Sequence, residues 1–126
     1  MTETEKYLFD VHGYLVIRNA LTFDQLEAAN AAVDAYSYEI KSRPNDLTRT
    51  SDTLQGTVGC GDLAGLLTWD KPHCGIFREL IALPSFAAYL EKLLVPGFRL
   101  EAMSAISMNE GAEGFWFHEG AEPHDR

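Results

Sequence analysis

Few side chains in this sequence could do chemistry, and the best placed is His118. It lies near the end of the stretch 98–120, FRLEAMSAISMNEGAEGFWFHEG, directly after the aromatic run Phe115-Trp116-Phe117. A histidine at the end of a strand can ligate a metal or move a proton, because imidazole titrates near neutral pH and its free nitrogen is a common ligand. The plainer reading is a core hairpin whose last histidine is incidental. The other candidates are weaker. His12 precedes Gly13 and suits a turn or cap. His73-Cys74 offers two donors without a second pair elsewhere. His124-Asp125 sits close to Arg126, at a terminus prone to fray. Cys60 and Cys74 have no CxxC spacing, which argues against a disulfide framework and against a zinc ribbon. Gly59-Cys60-Gly61-Asp62-Leu63-Ala64 has the G-x-G-x-x-A spacing of a dinucleotide-binding turn. A loop-like segment precedes it and no βαβ unit surrounds it, so no nucleotide site is expected.

The elements that must position His118 are read from periodicity. Even positions from 98 run Phe98, Leu100, Ala102, Ser104, Ile106, Met108; odd positions run Arg99, Glu101, Met103, Ala105, Ser107, Asn109. The alternation predicts a strand whose even, mostly apolar side is the better-buried face. Residues 109–114 are polar with two glycines and suit a reversal. Phe115 to Phe117 then resume a strand, giving a hairpin with a long loop. Upstream, Glu5 to Asp10 predict a short helical turn broken at His12-Gly13, and Tyr14-Leu15-Val16-Ile17 predict a strand. Thr22 with Gln25 forms a capping-box pattern. Leu26, Ala29, Ala32 or Val33, Tyr36 and Ile40 continue one apolar stripe up to Pro44. Residues 45–55 read as a polar surface loop. Two short helices follow, one from Phe77 and one after Pro84, and Pro96-Gly97 ends the second. The fold class expected is α+β, with helices packed on a partial antiparallel sheet.

The chain of 126 residues suits one domain, and 46% hydrophobic residues suffice for a core. A formal net charge of −9 disfavours nucleic acid and anionic membrane surfaces, which need clustered Lys and Arg. No basic leader with an apolar stretch is visible, and no apolar run reaches the ~20 residues of a membrane span. With the cysteine usage, this points to a reducing, cytoplasmic setting.

Several segments together resemble a known family. Residues 9–22, FDVHGYLVIRNALT, lead into a helix. Phe77-Arg78-Glu79-Leu80-Ile81, a proline and the YLEKLL helix follow, then Pro96-Gly97-Phe98-Arg99-Leu100 and a strand ending in a histidine. This order and spacing resembles the N-terminal part of the phytanoyl-CoA dioxygenase family over about residues 7–120. Its members are non-haem oxygenases that use Fe(II) and 2-oxoglutarate on a double-stranded β-helix, or jelly roll. They hydroxylate unactivated C–H positions of small molecules or acyl groups. The resemblance implies Fe(II) bound by His118, a 2-oxoglutarate cosubstrate and a small-molecule substrate; by position along the chain, Ser104 or Ser107 would face the cosubstrate and the loop from Trp69 to His73 would border the substrate entrance.

The iron chemistry asks for two histidines and a carboxylate on one face of the metal. In the family the first histidine and the carboxylate come as H-x-D, and a second histidine and an arginine come much later. Here Glu119 and Gly120 follow His118, so glycine stands at the carboxylate position. That H-x-G pattern resembles the halogenase variant of the superfamily, and it also occurs where the iron site is altered or lost. The second histidine and the arginine have no counterpart here, and about eight strands are needed to close the barrel. The resemblance thus implies that 1–126 is a single truncated domain, not active alone, completed by further strands, a second chain or self-association. The competing expectation is a non-catalytic module that associates through an exposed sheet face, including the Phe115-Trp116-Phe117 segment.

Overall fold

A computed structural model describes residues 1–45, 48 and 50–116. The described chain is α+β, with four α-helices and a three-stranded antiparallel sheet. It divides into two compact units, one formed by Met1–Ser37 with Gly65–Met103 and the other by Tyr38–Ala64 with Ser104–Arg126. The helices fall in the first unit and the strands in the second. No helix among the described residues is long and apolar enough to cross a membrane.

In the first unit, α1 spans Glu3–His12. It is longer than the turn expected at residues 5–10, because Thr2 closes a capping box with Glu5. Gly13 ends it at φ 75°, donating to the Phe9 carbonyl. Residues 14–17 form no strand, contrary to expectation. Leu15 and Ile17 are half-buried while Tyr14 and Val16 are exposed, but among the described residues no neighbouring strand pairs with them. A β-favouring run without a ladder partner stays irregular.

Helix α2 (Phe23–Ala35) begins with the expected capping box of Thr22 and Gln25. It ends well before Pro44, which is a second correction. The Ser37 hydroxyl takes the Asp34 carbonyl at 2.8 Å, and a 3-10 turn (Ser37–Glu39) follows. Tyr36 stacks on Trp69 with centroids 4.2 Å apart and planes at 6°. Tyr36, the residue that caps the helix, leaves helical geometry at φ −108° and ψ 11°. The stripe that turns inward is Gln25, Ala29, Ala32 and Tyr36, and Leu26 is exposed. Helix α3 (His73–Leu80) packs on α2, burying Cys74, Ile76 and Phe77, while Gln25 donates to Glu79 at 2.6 Å. Helix α4 (Pro84–Leu93) starts with proline at its first turn, as the sequence predicts, yet buries no residue.

In the second unit, β1 (Lys41–Ser42), β2 (Gly61–Leu63) and β3 (Ala105–Ser107) form the sheet in that order. Lys41 pairs with Asp62 and Ser42 with Gly61; Gly61, Asp62 and Leu63 pair with Ser107, Ile106 and Ala105. One face therefore carries Ser42, Gly61, Leu63, Ala105 and Ser107; the other carries Lys41, Asp62 and Ile106. Leu63 is buried on the first face, a contribution of about 1.5–3 kcal/mol. The strand expected from 98 onward reduces to three residues, and β3 pairs with β2 instead of a following strand. Phe115 and Trp116 form no strand. The expected burial is also inverted: Ala105 and Ser107 are half-buried, while Ile106 and Met108 are exposed. The period of two is present, but the apolar side faces out.

The glycines of Gly59-Cys60-Gly61 serve this pairing. A Cβ at Gly59 would collide with the Arg43 carbonyl oxygen, and one at Gly61 with the Ile40 side chain. The first is a close backbone approach that only glycine allows; the second makes room for a side chain. The strand follows the first glycine, the reverse of a dinucleotide turn.

Candidate functional site

The described residues leading toward His118 are braced by a buried carboxylate. Glu113 is fully buried and its Oε2 accepts from Thr48 N at 3.1 Å and Thr48 Oγ1 at 3.0 Å. The Thr48 hydroxyl also lies 2.9 Å from the Leu54 carbonyl. On the backbone, Glu113 N donates to Val58 O at 3.1 Å and Gly114 N to Leu54 O at 2.7 Å. Val58 and Ala112 form an isolated parallel bridge. Gly56 makes this approach possible, since a Cβ there would strike the Glu113 backbone nitrogen. With the Gly111 carbonyl accepting from Thr57 N at 2.9 Å, segment 111–114 is held at Gly111, Ala112, Glu113 and Gly114 through the backbone and at Glu113 through its side chain. Glu113 Oε1 is buried with no hydrogen-bond partner among the described residues, so it stands to gain most from a further donor.

The expected surface loop at 45–55 is accordingly not all surface. Thr48 and Ser51 are buried, because they form the cradle beneath Glu113 and Leu54. Ser51 Oγ accepts from Leu54 N at 3.1 Å and holds the turn that presents the Leu54 carbonyl.

On the outer sheet face, Arg43 grips Asp62 with two bonds, Nε to Oδ2 at 2.8 Å and Nη2 to Oδ1 at 2.6 Å. The register explains this pair: residues 41 and 43 share a face, and Lys41 lies opposite Asp62. The same guanidinium sits 5.6 Å from the centre of the Phe115 ring. Phe115 is therefore fixed from the sheet side. Beside these residues lies a recess of about 470 Å³ lined by Tyr38, Glu39, Ile40, Lys41, Asp62 and Ala64. Asp62 is already committed to Arg43, so it is poorly placed as a base.

His118, the candidate iron ligand, lies outside the described residues, as do Glu119, Gly120, His124 and Asp125. Ser104 is exposed just ahead of β3, and Ser107 is half-buried in β3 opposite Gly61. No three His, Cys, Asp or Glu side chains among the described residues come together as a metal site.

In the first unit, the loop from Trp69 to His73 is held by aromatic packing. Trp69 lies between Tyr36 and the edge of Phe77, the latter at 5.5 Å and 83°, and His73 meets Tyr36 edge-on at 5.5 Å. Asp70 N donates to the Tyr36 hydroxyl at 3.1 Å. Trp69 Nε1 is buried with no acceptor among the described residues. His73 and Cys74 are part of this core, and both cysteines are free and buried.

Arg43, Asp62, Thr48 and Glu113 were not legible as a set. The ion pair spans 19 positions and the Thr48–Glu113 bond 65. The one local signal at Glu113 is its placement between two small residues, Ala112 and Gly114, ahead of aromatics. Comparisons of the chain with protein-family models, curated proteins and solved structures find no match.

Proposed function

We propose that this chain is the front part of a non-haem Fe(II)- and 2-oxoglutarate-dependent oxygenase of the phytanoyl-CoA dioxygenase kind, acting on a small molecule or acyl substrate. In this reading the chain forms the beginning of a jelly roll in a reducing, cytoplasmic setting, and His118 contributes one iron ligand. The observation that carries it is the bracing of segment 111–114 by Glu113 and Thr48, followed by the hold of Arg43 on Phe115. A metal ligand needs support from the residues around it, because a loosely held imidazole binds weakly. Two further departures shape the proposal. Position 120 is glycine, and the second histidine and the arginine of the family pattern have no counterpart, so oxygenase activity requires ligands supplied from elsewhere. No reaction step is assigned to the described residues. Anaerobic Fe(II) titration of the wild type against His118→Ala tests the ligand assignment. Tighter binding by the wild type is expected; equal binding by both dismisses it.

A second reading has its own support. Ile106 and Met108 are 47% and 51% exposed, on the apolar side of β3. Apolar side chains exposed along an edge strand favour association, so the chain would serve as a non-catalytic module that binds a second chain there.

A further inference from the structure

We infer that the first unit binds a hydrophobic monocarboxylate in the cavity along α4. This inference is independent of the oxygenase reading and concerns different residues. The cavity has a volume of about 380 Å³, at the small end of the roughly 300–1,000 Å³ typical of ligand sites. Its walls come from Phe86, Leu90 and Leu94, four positions apart on and just past α4, and from Leu100 and Ile81. These side chains explain why an amphipathic helix buries no residue: its apolar stripe faces an open cavity instead of core. Ile81, Leu94 and Leu100 are 40–46% exposed, so apolar area remains to be covered.

One charged residue, Arg99, lines the cavity, and it has no ion-pair or hydrogen-bond partner among the described residues. An apolar pocket with a single planar cation at its wall matches an apolar body with one carboxylate, which a guanidinium can hold by two parallel bonds. The formal charge of −9 works against a polyanion such as a nucleotide. A single negative charge meets the least repulsion and still matches Arg99.

The test is calorimetric titration of the full chain with decanoate below its micelle concentration, and with decanol as the neutral comparison. Saturable one-to-one binding of decanoate is expected, with decanol weaker. Arg99→Gln should weaken decanoate about tenfold, the effect of losing one charge-assisted contact of some 1.4 kcal/mol, and leave decanol unchanged. Arg99→Lys should restore part of the loss. Leu90→Asp should abolish both ligands while the circular dichroism spectrum stays unchanged, since Leu90 is not part of the buried core. The proposal is overturned by absence of saturation, by equal binding of decanoate and decanol, or by an Arg99→Gln affinity equal to wild type. None of these outcomes bears on the Fe(II) titration.

Discussion

Glu113 shows how one residue can organise a unit that has little apolar core. Its carboxylate joins Thr48, and its backbone joins Val58, across more than fifty positions of sequence. Removing a buried acceptor leaves its donors unsatisfied at a cost of about 1–3 kcal/mol. Glu113→Ala is therefore expected to loosen the second unit by about 2 kcal/mol, with Thr48→Val costing less because the Thr48 backbone donor remains. Amide exchange at Gly114 and Arg43, which donate to Leu54 and Cys60, would report it. Unchanged exchange at both would show that the buried carboxylate does not hold the segment. Neither residue stood out beforehand. Glu113 sits in a run of polar and small residues, and its value depends on a partner 65 positions away. The glycines at 59 and 61 were visible as a motif, but their reason, contact with Arg43 and Ile40, was not.

At the scale of elements, the helices of the first unit were largely legible and the strands were not. Capping boxes, prolines at first turns and stop glycines are local signals, and Thr22-Gln25, Pro84 and Gly13 all act as such signals imply. The Glu5 side chain also ties α1 to α4, because the Tyr89 hydroxyl donates to it at 2.9 Å. The Thr2 backbone N–H first, then the Tyr89 and Thr2 hydroxyls, hold the Glu5 carboxyl below its ordinary pKa. The same bond to Glu5 raises Tyr89. A lowered carboxyl contributes stability that is complete above its ordinary value and is lost as pH falls through the lowered one. A raised phenol contributes below its ordinary value and loses it as pH rises through the raised one. Thermal melts should thus show an acid limb that Tyr89→Phe flattens in part and Glu5→Gln flattens further. An acid limb unaltered in both variants would place its origin elsewhere. Both residues are only half-buried, so the effect is small and salt-sensitive.

For the molecule as a whole, the two units are interleaved in sequence: each is built from two separated segments. Cutting the chain at one point between 64 and 65 divides both. The apolar side of β3 gives the chain a reason to associate, since Ile106 and Met108 are exposed. Sedimentation velocity across a concentration series is expected to show self-association that Ile106→Lys suppresses. A monomer at every concentration in the wild type would remove the association reading and leave the iron titration to decide the other.

The sequence by itself determined the α+β class, the starts of α2 and α4 and the period of two around Ile106, because these follow from local hydrogen bonding, φ preferences and side-chain alternation. Tertiary structure decided which strands pair, which side of β3 faces inward and which acid is buried. Each of these depends on a partner far along the chain: Gly61 for Ser107, Thr48 for Glu113. A pattern of residues states what an element can bury; only the neighbour it meets fixes which face does so.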